Sequence, residues 1–178
     1  GSFGEKDGLE YLIKAFEKIS LEFNNVSLIL TGKGAYQEME KLFKLIDNSV
    51  VKEKIIFKGF LSKDEYYNVL NECDIFCMTR INSQFANAGF PFKLGEFLAT
   101  GKAVISTNVS DVNKFIRNGE NALIIRPSSE DEIAEALIYI LKNPILINKL
   151  GTEGRKTAEL NFDSEKISLD LFQIFGCL

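Results

Sequence analysis

Five short apolar runs alternate with helical stripes along this chain, and the alternation limits it to very few folds. The runs are VSLIL at 26–30, KIIFK at 54–58, DIFCM at 74–78, AVIS at 103–106 and ALII at 122–125. Between them, Leu9, Leu12, Ile13, Phe16 and Ile19 follow the i, i+3, i+4, i+7 rhythm of a helix with one buried face. Met39, Leu42, Phe43 and Ile46 repeat it, as do Ile133, Leu137, Ile140 and Leu141. Strands separated by helices predict an α/β fold: a Rossmann-like, doubly wound parallel sheet with helices on both faces. In such sheets ligands bind outside the carboxyl ends of the strands. The glycine-bearing loops at 32–34, 59 and 89 all follow strands and are expected to converge on one crevice.

Local signals fix several boundaries. Ser62-Lys63-Asp64-Glu65 is a capping box, with Leu61 and Tyr66 placed as a hydrophobic staple, opening a helix that runs to about Glu72. A helix is expected over 91–100, a short one over 110–117, and one starting after Pro127-Ser128-Ser129. Pro144 suits a first helical position, and the remainder reads as mostly helical. No linker, repeat or low-complexity segment divides residues 1–178, which read as one domain. The start is irregular. Gly1-Ser2-Phe3-Gly4 reads as loop and leads straight into a helix, whereas a doubly wound unit begins with a strand that sits mid-sheet. Either the chain was cut just after that strand or Gly1-Ser2 is an expression scar; if the strand is missing, a slot with unpaired backbone on both sides is expected.

Composition narrows the function. A net charge of −4 argues against a nucleic-acid partner, without excluding a small basic pocket. No apolar run is long enough to span a bilayer, and no signal peptide is visible. Cys73, Cys77 and Cys177 are odd in number and sit in apolar surroundings, which favours reduced thiols in a cytoplasmic protein. The chain has no His, so Ser-His and Cys-His catalysis is excluded, and a lone Cys pair argues against zinc. Gly32-Lys33-Gly34 falls short of a dinucleotide fingerprint because Gln37 stands where the third glycine belongs. These residues serve equally as a tight turn or as a close backbone approach to a ligand.

The stretch Phe85–Lys102, FANAGFPFKLGEFLATGK, carries the strongest chemical signal. Gly89-Phe90-Pro91 is a turn entering a helix, where free N–H groups and the helix dipole favour phosphate. Lys93 adds charge beside it. Glu96 lies among the apolar residues Phe92, Leu94, Phe97 and Leu98 and must find polar partners, of which a ribose diol is one.

In order and spacing, GSFGEKDGLEYLIKAF, LILTGKG, IIFKGFLSKDEYYNVLNECDIF, GFPFKLGEFLATGKAVIST and NGENALIIRPSSEDEIAEAL resemble the C-terminal, donor-binding half of a GT-B fold glycosyltransferase, family 4 type (glycosyl transferases group 1). The resemblance implies a glycosyltransferase of hexosyltransferase type, concerned with polysaccharide biosynthesis, that binds a UDP- or GDP-sugar. It implies no cofactor and no metal. It also implies an N-terminal acceptor domain elsewhere in the parent enzyme, without which this domain is inactive; any association with the inner face of a membrane would reside there too. By position, Lys6 matches a lysine on the donor diphosphate, and Ser2 and Phe3 lie in the same first loop. Gly32, Lys33 and Gly34 match the loop beneath the nucleotide, and Gly59, Phe60 and Leu61 match the segment facing the base. Ala88, Gly89, Phe90, Pro91 and Leu94 match the phosphate turn, with Lys93 beside it. Glu96 matches the second glutamate of an E-x7-E pattern, on the ribose. The sequence departs from the pattern at Ala88, where the first glutamate would stand, and at Ser2, where an arginine would. Two other functions fit the same architecture: half of a nonhydrolysing sugar-nucleotide epimerase, and a non-catalytic nucleotide-binding module.

Overall fold

The computed structural model describes residues 2–176. Cys177 lies outside them. Seven strands and eight α-helices are present among the described residues. The strands are β1 (Ser2–Phe3), β2 (Leu28–Thr31), β3 (Lys33–Gly34), β4 (Ile55–Gly59), β5 (Ile75–Met78), β6 (Ala103–Thr107) and β7 (Leu123–Ile125). The helices are α1 (Leu9–Ser20), α2 (Tyr36–Asn48), α3 (Lys63–Glu72), α4 (Gln84–Asn87), α5 (Lys93–Ala99), α6 (Glu130–Leu141), α7 (Pro144–Asn161) and α8 (Ser164–Gly176). Every strand pairing is parallel, as βαβ connection requires.

The fold class is the expected one, and the five apolar runs are β2, β4, β5, β6 and β7. Four details differ. Ser2–Phe3 is not loop but a strand, paired with Lys33–Gly34. The helix expected over 91–100 starts two residues late, because Leu94 and Gly95 donate to the carbonyls of Pro91 and Phe92 in a tight turn. The helix expected over 110–117 shrinks to a 3₁₀ turn at Val112–Lys114, entered by Ser110 in the left-handed region (φ 54°). Helix α4 has no counterpart among the expectations; Ser83 caps it by accepting from the Ala86 N–H. The capping box at Ser62 is present in full: the hydroxyl accepts from the Glu65 N–H, and the Glu65 carboxylate accepts from the Ser62 N–H at 2.8 Å.

Alternation along the strands divides the core between the two faces of the sheet. Ala103 and Ile105 pack with Leu12, Phe16, Ile133 and Leu137, under α1 and α6. Val104, Phe76 and Met78 pack with Leu70, Leu94 and Leu98, under α3 and α5. Helix α7 closes one end, and Gly151 permits it. A Cβ there would sit inside the carbonyl of Gly101, so only glycine lets the helix backbone reach the turn before β6.

The sheet is not continuous. β5, β6 and β7 form one block and β2 with β4 another, and β2 and β5 do not pair. Between them runs a cavity of about 570 Å³, walled by residues 25–31 on one side and 72–80 on the other. No described helix is long and apolar enough to cross a membrane.

Candidate functional site

Four loops at the carboxyl ends of β1, β2, β4 and β5 meet in one rim with a fifth, at Gly89, which follows α4 rather than directly following a strand as expected. The first follows β1. Here Gly4 and Gly8 bracket a single 3₁₀ turn holding Lys6 and Asp7. Gly8 has φ 62°, and a Cβ there would overlap the Thr79 carbonyl. That close approach ties the first loop to the loop after β5: the Ile81 N–H donates to the Lys6 carbonyl at 3.0 Å, and the Thr79 hydroxyl donates to the Asp7 carbonyl at 2.9 Å. Lys6 Nζ lies 2.6 Å from Asp7 Oδ2.

The second loop, Gly32 to Gly34, joins the first through the Ser2–Lys33 and Phe3–Gly34 pairs. It joins the third where the Gly32 N–H donates to the Gly59 carbonyl at 2.7 Å. Lys33 Nζ stands over the ring of Phe60, an exposed aromatic, 4.4 Å from its centroid. Leu61 follows it, half-buried. The fourth loop brings Arg80, whose guanidinium donates to the Gly89 carbonyl at 3.2 Å and so fastens the fifth loop.

The fifth loop is the Gly89-Phe90-Pro91 turn. A Cβ on Gly89 would meet no described atom within 4 Å, so internal packing does not call for glycine there. The space it leaves faces outward. Phe90 turns the other way and stacks on Phe162 at 5.7 Å, with Phe115 edge-on at 5.1 Å, leaving its backbone to the rim. Leu94 is fully buried in the core and its amide bonds to Pro91, so it supports the turn from beneath. Ala88 is exposed at the end of α4. The side chain of Ser2 lies outside the described residues; its backbone is part of β1.

Lys93 and Glu96 are linked through a residue on another helix. The Tyr66 hydroxyl on α3 donates to Glu96 Oε2 at 2.8 Å and accepts from Lys93 Nζ at 3.2 Å. The ammonium also stands 4.8 Å from the Tyr66 ring centroid and 3.6 Å from Glu96. Burial, and then the bond to the Glu96 carboxylate, push the Tyr66 phenol up, so it remains a donor. Glu96 is thus held by a tyrosine rather than open. A diol reaching it must share or displace that hydroxyl.

Cys73 and Cys77 are unsuited to nucleophilic work. Burial, and then nearby Cys73, push the Cys77 thiol up to about 12. Burial and the Glu72 and Asp74 carboxylates raise Cys73. Both stay as neutral thiols at physiological pH.

Two contributors escaped the sequence reading. Arg80 directly follows the DIFCM run, and its place at a strand's carboxyl end was the available signal. Tyr66 was read only as a staple, because its partnership with Lys93 and Glu96 is a contact between helices far apart in sequence.

A parallel sheet faced by helices, with loops gathered at the strand ends, is the Rossmann-like class of α/β domain. The chain belongs to the glycosyl transferases group 1 family, whose family model matches residues 1–157. It is 28% identical over 176 residues to the lipopolysaccharide core biosynthesis glycosyltransferase LpsE of Rhizobium meliloti, covering 99% of this chain and 48% of that protein. It is 24% identical over 169 residues to an uncharacterized glycosyltransferase of Methanocaldococcus jannaschii, covering 94% of this chain and 41% of the relative. The chain therefore spans less than half the length of these curated relatives. Among solved structures, Anabaena HepE in complex with UDP superposes with a TM-score of 0.88 at 17% identity, over 100% of this chain and 47% of that one. The C-terminal domain of the group 1 glycosyltransferase LpcC from Francisella tularensis gives 0.82 at 20% identity, over 92% and 84%. The fold is that of GT-B glycosyltransferases.

Proposed function

We propose that this chain is the nucleotide-sugar donor domain, the C-terminal half, of a family 4 type GT-B glycosyltransferase, which transfers a hexose to an acceptor held mainly by an N-terminal domain. The observation that carries this reading is the continuous rim of five loops, joined by the Gly32–Gly59, Lys6–Ile81 and Arg80–Gly89 hydrogen bonds. Three cations, Lys6, Arg80 and Lys93, contribute to that rim. Glycosyl transfer leaves negative charge on the departing diphosphate, and preorganised cations and backbone N–H groups stabilise it in the transition state. Arg80 compensates for the arginine that Ser2 replaces. Lys33 and the exposed face of Phe60 suit a nucleobase, and Glu96 suits the ribose. The complex of HepE with UDP-glucose supports this assignment by analogy of fold.

The domain alone is expected to bind donor without transferring sugar, and to need neither metal nor cofactor. The parent enzyme is assigned to the cytoplasmic side. Thermal-shift measurements with UDP, GDP and their sugars test the reading. At least one is expected to raise the melting temperature, as any ligand of the native state does. A folded chain that responds to none of them overturns it. Glu96→Ala is expected to weaken ribonucleotides more than their 2′-deoxy analogues; an equal loss removes Glu96 from the ribose.

A further inference from the structure

A tyrosine on α3 governs the two charged side chains at the start of α5. Lys93 and Glu96 are three residues apart, the spacing at which opposite charges on a helix attract one another directly. Here they meet only loosely, with Lys93 Nζ 3.6 Å from Glu96 Oε2. The Tyr66 hydroxyl stands between them: it donates to that same Oε2 at 2.8 Å and accepts from Lys93 Nζ at 3.2 Å. Every contact to the carboxylate is thus made at one oxygen. Among the described residues no hydrogen bond or ion pair reaches Oε1, which is left as an acceptor.

Tyr66 is itself firmly placed. It lies in the first turn of α3, behind the Ser62–Glu65 capping box, and its N–H donates to the Ser62 carbonyl at 2.9 Å. Its ring packs against the cluster that holds Leu70, Phe76 and Leu94. Burial, and then the Glu96 carboxylate, raise the phenol, so the hydroxyl remains a donor at physiological pH. Tyr66 and Lys93 line the same cavity as Lys6 and Arg80, which sets the bridge beside the cations of the rim. A half-exposed glutamate without such a bond would spread over several rotamers and would have to be ordered whenever it took a ligand.

We propose that Tyr66 is a positioning residue for the ribose: by committing Glu96 Oε2, it presents Oε1, already oriented, to a ribose hydroxyl. This rests on the reading of Glu96 as the ribose ligand and supplies what orients that glutamate. The ligand then shares the carboxylate with Tyr66 and does not displace it.

The test measures dissociation constants by calorimetry for whichever of UDP and GDP binds, and for its 2′,3′-dideoxy counterpart, which lacks both hydroxyls. The chains are this one, Tyr66→Phe, Glu96→Ala and the double variant. Phenylalanine keeps the packed ring, and thermal melts of the free chains check that the fold is kept. Tyr66→Phe is expected to weaken the ribonucleotide about three- to tenfold and to leave the dideoxy analogue within about twofold. It is expected to add nothing in the Glu96→Ala background, because it acts through that carboxylate. A ratio of ribonucleotide to dideoxy affinity that Tyr66→Phe leaves unchanged overturns the proposal, since a merely supporting ring weakens both ligands alike. Tighter ribonucleotide binding by Tyr66→Phe also overturns it and makes Tyr66 a competitor of the ribose. The two readings fail separately. A ratio that collapses in Glu96→Ala but survives in Tyr66→Phe removes Tyr66 alone; one that survives in both removes Glu96 from the ribose, and this proposal with it. A folded chain that binds no nucleoside diphosphate overturns both.

Discussion

β2 and β6 carry similar sequences and have different fates. β6, AVIST, pairs on both sides, and all five of its residues are buried. β2, LILT, pairs only with β4, and of its four residues only Leu30 is buried. The apolar character of the two runs is alike, so the difference comes from the neighbours. A parallel strand is buried by what stands beside it as much as by the helices over it. The closed block around β6 is expected to hold the chain together more firmly than the β2 side does.

The largest expected effect tests this contrast directly. Ile105→Asp places an unpaired carboxylate in a site with no exposure and is expected to cost more than about 4 kcal/mol, enough to unfold the chain. Ile29→Asp, on the partly exposed β2, is expected to cost no more than about half as much. Urea denaturation measures both, and equal costs would show that the cavity is closed in solution.

Next come two glycines of opposite kinds. Gly151→Ala drives a methyl into the Gly101 carbonyl and is expected to cost about 2–4 kcal/mol. Gly89→Ala meets nothing and is expected to shift stability by less than about 1 kcal/mol. It is nonetheless expected to weaken nucleoside diphosphates, if the turn lets a phosphate approach its backbone. Thermal melts with and without UDP separate the two kinds of glycine.

A smaller effect is expected at the α3 cap. Ser62→Ala is expected to cost about 1 kcal/mol at neutral pH. The Ser62 hydroxyl and N–H hold the Glu65 carboxyl below its usual range. The stability this adds is full above the ordinary carboxylate pKa and is lost as pH falls through the lowered value in the fold. The gap between Ser62→Ala and the parent is therefore expected to narrow in acid, in urea titrations at pH 7 and pH 3.

The smallest effect involves no stability change. With its thiol pushed up to about 12, Cys77 is expected to gain alkylation rate about tenfold per pH unit between pH 7 and pH 10.

Much of this architecture was legible in the residues. The five apolar runs became strands within one or two residues, and the Ser62 cap formed as read, because period and capping are local signals. β1 and β3 were not legible: two-residue strands carry no period, and they exist through pairing with each other. The helix read over 110–117 failed because its residues satisfy their backbone in a 3₁₀ turn entered through Ser110. At the site, the loops at 32–34 and 59 were read from their place after strands, whereas the loop at 89 follows α4 and the loop bearing Arg80 was not read. The Tyr66 bridge between Lys93 and Glu96 was not, since it depends on how α3 and α5 pack.

The central claim is that five loops far apart in sequence serve one ligand. Amide exchange of the folded chain, with and without a saturating nucleoside diphosphate (UDP, then GDP), tests it most directly. The account predicts joint protection of residues 3–8, 32–34, 59–61, 79–81 and 89–93 by at least one of them. Protection by neither, or protection confined to residues outside these loops, would contradict it.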